Sequence, residues 1–351
     1  MDLPIVWFWV VAFLWTGFFV LEGFDFGVGM LHKVVGRTDT EQRVAINTIG
    51  PFWDGNEVWL VVGGAAIFAA FPGWYATWFS ALYLAVVLLL VALMARGVSF
   101  EFRGKVEAAR WRRTWSWSLT IGSALCPLLL GIALGNLLAG LPIGADEEFT
   151  GSVADIVTGY GLLVGVTMLA LSVLHGATFL VLRTDGLIRA RAHRVASVAL
   201  WPTAVLLAAF AVWTPSISDA PALRGIGPPV AALVAVLAAA ALLRAHRDGW
   251  SFAATAVGTA LTVVSVFTNL YPNVLVSSTD AANNLTVTGT ASGQYALQVM
   301  TIVAAFLVPV VLLYQGWSYV VFRRRVTGPP TTVPPDPTPG PSAPLDEGAL
   351  T

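Results

Sequence analysis

Nine apolar runs, each long enough to cross a bilayer as a helix, leave this chain few folds to choose from. They cover roughly residues 5–30, 51–70, 74–97, 114–139, 155–182, 193–214, 227–244, 250–270 and 295–322. A helix needs about 20 mainly apolar residues to span the hydrocarbon core, where each backbone N–H and C=O must be bonded within its own segment. The expectation is an all-α integral membrane protein with nine transmembrane helices, a nine-span domain over 1–326. Charge agrees: 11% of residues are charged, against about 25% in soluble domains. The first run begins at Ile5 with no basic stretch before it and no small-residue cleavage pattern, so it reads as a retained span and not as a signal peptide. Residues 327–351 hold eight prolines among Thr, Ser and Gly. They are expected to form a disordered tail, unable to build a core.

The loops assign the sides. Basic residues fall in alternate connections: Lys33, Arg37 and Arg43; then Arg96, Arg103, Lys105, Arg110, Arg112 and Arg113; then Arg183, Arg189, Arg191 and Arg194; then Arg244 and Arg247; then Arg323, Arg324 and Arg325. The intervening connections carry only Arg224 of the 19 basic residues. The positive-inside rule then places the N-terminus outside and the C-terminus in the cytoplasm, and an odd number of spans satisfies both. Residues 38–50 open on cap-like Thr38-Asp39-Thr40-Glu41 and are expected to form a short helix along the inner surface. Residues 277–293, polar and charged only at Asp280, suit an ordered external loop or a partner contact.

Two of the spans carry acids where a span should carry none. The first reads Glu22-Gly23-Phe24-Asp25, the second Asp54-Gly55-Asn56-Glu57. Three residues apart, each pair shares a helix face. A carboxylate at membrane depth costs roughly 2.5–3.5 kcal/mol on insertion scales, so four at two neighbouring sites point to an ion or proton route facing the protein interior. All four lie near the inner ends of antiparallel spans and are expected to converge. Carboxyl groups gathered in low dielectric hinder one another's ionisation, which suits proton uptake and release. The plainer alternative has them at the interface, paired with Lys33, Arg43 or Arg96. Gly23, Gly27, Gly29 and Gly55 argue for burial against neighbouring helices. Arg96 reads either as an inside-positive anchor or as the partner of the acids.

Other chemistry is sparse. His175 is the one histidine inside a span, and its expected role is a structural hydrogen bond, not haem ligation. Most tryptophans, among them Trp7, Trp9, Trp74, Trp78, Trp115, Trp117 and Trp317, are expected in the interfacial belt. Trp53, beside Asp54, is the exception. Cys126 stands alone, so no disulfide within the chain, Cys-rich metal site or c-type haem motif arises. No phosphate loop, dinucleotide fingerprint, zinc helix or nucleophile elbow appears. An enzyme built with this chain would draw its cofactors from another subunit.

Taken together, several stretches resemble subunit II of cytochrome bd-type quinol oxidases. They are 22–29 (EGFDFGVG), 51–59 (PFWDGNEVW), 96–103 (RGVSFEFR), 135–142 (GNLLAGLP), 175–180 (HGATFL), Tyr271-Pro272 with 277–279 (SST), and 314–317 (YQGW). The motifs run in order through residues 1 to about 325. The resemblance implies nine spans arranged as two four-helix bundles plus one peripheral helix, in a bacterial cytoplasmic (inner) membrane. It implies a complex with a homologous, haem-bearing subunit I, which holds haem b, haem d and the quinol-oxidising loop. That complex oxidises quinol and reduces oxygen to water, electrogenically and without pumping. It further implies no haem in this chain, a structural quinone in some members, room for small accessory subunits, and no nucleic acid. Carried over, Asp25 and Asp54 match family aspartates on a cytoplasmic proton path. Glu22 stands where aspartate also occurs, with an arm one methylene longer, and Glu57 completes the four acids. Trp53 and Asn56 match the motif and are expected at the subunit contact, with Arg96 and His175 as further motif positions. A stand-alone proton-coupled transporter and a purely structural assembly subunit are the other readings the residues allow.

Overall fold

The structure, a computed structural model, describes residues 2–327; apart from Thr327 the expected tail lies outside the described residues. The chain is almost wholly helical: α1 (Leu3–Val35), α2 (Asp39–Asn47), α3 (Trp53–Ala70), α4 (Pro72–Ala81), α5 (Tyr83–Phe102), α6 (Ala109–Ala139), α7 (Gly159–Arg183), α8 (Gly186–Ser216), α9 (Ala222–Arg244), α10 (Asp248–Leu270) and α11 (Gln294–Val321). Among the described residues, eight of these are long and apolar enough to cross a membrane: α1, α5, α6, α7, α8, α9, α10 and α11. The expected second span is α3, which carries Asp54, Asn56 and Glu57 in its first turns and is not among those eight. The expected third span is two helices, α4 and α5, divided at Leu82.

α1 is the axis. It touches α2, α3, α6, α7, α8, α10 and α11, while α5 packs on α6, α6 on α7, α7 on α8, α8 on α9 and α9 on α10. Glycine sets the closest approach. A Cβ on Gly27 would collide with the backbone of Ser172 and Gly176, so α1 and α7 meet main chain to main chain. Gly29 likewise lies against the Ser123 side chain of α6. α11 is the outlier. It meets α1 and α3, and Leu297 is its one fully buried residue.

Ion pairs gather the basic residues at one end. Asp39 of α2 takes Arg103 at 2.6 Å and Arg112 at 2.9 Å, and Glu41 takes Arg191 at 2.7 Å. Asp248 takes Arg189 at 2.7 Å, and Asp185 takes Arg325 at 2.6 Å. α2 forms where its caps place it: Thr38 Oγ1 accepts from Glu41 N at 3.2 Å, and the Glu41 carboxylate accepts from Thr38 N at 3.3 Å. At the other end, β1 (Asn273–Leu275) pairs antiparallel with β2 (Leu285–Thr286). The segment is ordered, and it is tied to Ile143 O, which accepts from Ser277 Oγ, Thr279 Oγ1 and Asn283 Nδ2.

The tryptophans depart in part from the expected belt. Trp117 and Trp317 are exposed, but Trp7, Trp74 and Trp78 are buried. Trp78 packs edge-on against Trp15 at 5.7 Å and beside Trp74 at 6.0 Å. The short α4 lays Trp74 and Trp78 inward, where they fill core volume.

Candidate functional site

α1 crosses the interior with both acids on its buried face. Glu22 and Asp25 are fully buried, and so is Arg96 of α5. Arg96 Nη1 lies 2.6 Å from Glu22 Oε1 and 3.4 Å from Glu57 Oε2. Its guanidinium rests over the Phe26 and Phe100 rings, at 4.8 and 5.3 Å, which keeps lipid and water from its faces. Asn56 of α3 is the hinge between three helices. Its Nδ2 donates to Asp25 Oδ2 at 2.7 Å and to Leu21 O at 3.1 Å. Its Oδ1 accepts from Gln315 Nε2 at 2.7 Å and from the Tyr319 hydroxyl at 3.0 Å, both on α11. Tyr319 is stacked flat on Phe52 at 4.5 Å.

The charges do not balance, since three carboxyl groups face one guanidinium. Both Glu22 carboxyl oxygens, Asp25 Oδ1, and Arg96 Nε and Nη2 are buried with no hydrogen-bond partner among the described residues, Glu22 Oε1 being engaged only in the ion pair. Buried polar atoms are usually satisfied, so five such atoms in one cluster mark it as unlike ordinary packing. Exposure is graded along α3: Glu57 is 24% exposed, and Asp54 is on the surface. Asp54 and Glu57 both line a groove of about 890 Å³ between α3 and α5, with Trp15, Trp53 and Trp78 among its walls. Trp53 stacks on Phe100 at 4.7 Å, the same ring that faces Arg96.

The structure thus brings together Glu22, Asp25, Glu57, Asn56 and Arg96. The expected convergence of all four acids is corrected at Asp54, which makes no ion pair among the described residues. The rotation of α3 turns Asn56, not Asp54, toward α1. Of the bases proposed as interface partners, Arg96 is taken by the cluster, while Lys33 lies over the Trp117 ring at 3.2 Å. The structure adds Gln315 and Tyr319, which the sequence reading does not include. The signal was present: a polar Gln315 in the apolar run of α11, inside a motif already noted.

His175 of α7 stands against another face of α1. Val20 O can only accept, so His175 Nε2, at 3.2 Å, donates to it, and Nδ1 lies 2.7 Å from Thr255 Oγ1. The ring is stacked on Phe252 at 4.5 Å. Both nitrogens are engaged, so the site does not fit a haem iron. No group of three or more His, Cys, Asp or Glu suited to a metal ion occurs among the described residues.

Fold and site together define a multi-pass, all-helical membrane protein built round a buried ionic cluster. The sequence model of the family described as "Cytochrome bd terminal oxidase subunit II" matches residues 3–322, and the chain belongs to that family. It is 47% identical over 325 residues to the cytochrome bd ubiquinol oxidase subunit 2 of Bacillus subtilis (strain 168), covering 92% of this chain and 96% of that one. It is 36% identical over 369 residues to the cytochrome bd-I ubiquinol oxidase subunit 2 of Escherichia coli (strain K12), covering 93% and 95%. Among solved structures, the bd oxidase from Geobacillus thermodenitrificans shares the fold with a TM-score of 0.63 over 92% of this chain and 98% of that one. Its 17% identity makes that a likeness of fold alone.

Proposed function

We propose that this chain is the non-haem subunit II of a cytochrome bd quinol:oxygen oxidoreductase. In this reading it supports the haem-bearing subunit I and contributes a cytoplasmic proton pathway for reducing oxygen to water. Family membership supports the subunit assignment, as do relatives named ubiquinol oxidase subunit 2; it also removes the ground for a stand-alone transporter. In the architecture we infer, α3 also crosses the membrane and brings the spans to nine. α1, α3, α5 with α4, and α6 make one four-helix bundle, α7 to α10 the other, and α11 the peripheral helix. The basic end faces the cytoplasm of a bacterial inner membrane.

The buried Arg96–Glu22–Glu57 cluster with Asp25 carries the proton reading. Asp54, Glu57 and then Glu22 with Asp25 form a series of carboxyl groups from the surface inward. Asp54 and Glu57 meet protons from the groove. Arg96 holds Glu22 and Glu57 within reach of one cation, so that a proton arriving at one relieves the excess negative charge of the set. Asn56 fixes the Asp25 carboxylate through Oδ2 and leaves Oδ1 open for a proton. The haems of subunit I supply the oxygen chemistry. The groove also has the size and apolar walls to hold a structural quinone, with Trp15, Trp53 and Trp78 as its aromatic contacts.

The test is quinol-driven oxygen consumption by the purified complex carrying Asp25→Asn, with Asp54→Ala alongside. Turnover is expected to fall roughly tenfold or more, with haem content and quinol affinity unchanged. Normal turnover in a normally assembled complex would sink the pathway. The direct Arg96–Glu22 bond favours a second, structural reading. Under it, an Arg96→Met/Glu22→Leu complex would lose stability yet keep its turnover per assembled molecule.

A further inference from the structure

A second polar site lies apart from the acid cluster, at the basic end. α1, α2, the C-terminal end of α5 and α6 flank a cavity of about 240 Å³ whose charged lining is Lys33, Asp39, Arg103, Glu107, Arg112 and Arg113. Four cations line it against two carboxylates. One of those, Asp39, is already shared between Arg103 and Arg112. Arg113 makes no ion pair among the described residues and is exposed, so positive charge is in surplus.

The site is built, not merely coloured. Arg103 has a side chain only 6% exposed. It is held by three bonds: Nε donates to Ser116 Oγ at 2.8 Å, and Nη2 donates to Asp39 Oδ1 at 2.6 Å and Gln42 Oε1 at 3.0 Å. Nη1 makes no protein hydrogen bond among the described residues. A guanidinium fixed in this way binds a phosphate with little further loss of side-chain freedom. Lys33 is similarly fixed, its ammonium over the Trp117 ring.

The surroundings say where the phosphate comes from. Trp111 donates to Phe102 O at 2.7 Å and packs edge-on to Trp115 at 5.6 Å; Trp115 leans on Phe102 at 5.4 Å. With the exposed Trp117, these rings form an aromatic belt that marks headgroup depth. Basic pockets between membrane helices at that depth suit anionic headgroups, each Lys or Arg near the surface adding to the attraction. We infer that this cavity binds the phosphate of an anionic phospholipid, with Arg103, Arg113 and Lys33 as its cationic contacts. The orientation proposed above decides only the leaflet, which is the cytoplasmic one.

The test keeps the whole complex. Wild type and a Lys33→Gln/Arg113→Gln variant, neither residue belonging to the acid cluster, are delipidated in mild detergent. Each is titrated with phosphatidylglycerol, phosphatidylcholine or inorganic phosphate, and retained ligand is read by native mass spectrometry. The expected result is phosphatidylglycerol held by the wild type and weakened roughly tenfold or more in the variant, with phosphatidylcholine and inorganic phosphate not retained. Equal retention of phosphatidylglycerol by both proteins overturns the site. Retention of inorganic phosphate as strong as that of the lipid overturns the lipid assignment. Arg103→Lys guards against a misfolded variant: it keeps the charge, loses the fork, and should bind more weakly than the wild type while assembling normally.

Discussion

Two ionic networks in this molecule use the same side chains to different ends. At the basic end, Asp39 is gripped by Arg103 and Arg112, Glu41 by Arg191, and Asp248 by Arg189 and Arg325. There the arginines match or outnumber the carboxylates, and most of the groups reach water. In the interior, one arginine serves three carboxyl groups, and five of their buried atoms find no hydrogen-bond partner among the described residues, against Arg189 Nε and Asp248 Oδ1 at the basic end. The first arrangement fastens helices together. The second costs stability, because desolvation of buried ions is only partly offset by their attraction. A chain that keeps an unbalanced cluster at its centre has used stability for something, and we propose proton transfer.

The contrast can be broken at Arg96 first. Arg96→Leu strands three carboxyl groups without a cation and should cost about 3–5 kcal/mol. The expected outcome is poor assembly and a much lower thermal denaturation midpoint for the purified complex. Adding Glu22→Leu should restore part of that loss, since replacing both partners of a buried pair by apolar groups is often neutral or better. A double variant worse than the single would mean that the pair stabilises beyond its charges.

A smaller effect is expected at Gly27→Ala. It tests whether the cluster depends on the backbone contact that holds α1 against α7. Overpacking there should cost roughly 1–3 kcal/mol, read as a lower midpoint, and turnover should fall as Glu22 and Asp25 shift. In the surface network, Asp39→Asn should cost only about 1 kcal/mol and leave oxygen consumption unchanged. A large loss of turnover there would erase the distinction between the two networks.

The smallest effect is a matter of pH. The hydrogen bond from Arg191 holds the Glu41 carboxyl below the ordinary carboxylate range, helped by the backbone N–H groups of Arg37 and Thr38. A depressed folded-state pKa adds stability above the unfolded value and loses it as pH falls through the folded one. Glu41→Gln should therefore lower the midpoint slightly at pH 7, and the difference should fade in acid. A difference that grows on acidification would show that Arg191 does not hold this carboxylate.

Much of this was legible in the residues because a membrane makes strict demands. Apolar length marks the helices, and Thr38 with Glu41 marks the start of α2. The i, i+3 spacing also held: Glu22 and Asp25 share one buried face, and Asp54 and Glu57 line one groove. The division at Leu82 was not legible, since hydropathy is blind to a backbone bend inside an apolar run. Nor was the burial of Trp74 and Trp78, since Trp78 packs on the distant Trp15. The Asn56–Gln315 and Asn56–Tyr319 bonds were hidden for another reason. They join residues about 260 positions apart, and no local pattern carries such a pairing.

The membrane, the helices, the basic end and the faces on which the acids lie can all be read from the residues, because length, charge and helical period act within one segment. Which face of α3 meets α1 depends on how the helices pack. That rotation places Asn56 against Asp25, brings Arg96 between Glu22 and Glu57, and leaves Asp54 outside. It is set by the packing of neighbouring helices, and packing is a property of pairs of surfaces that neither segment states alone.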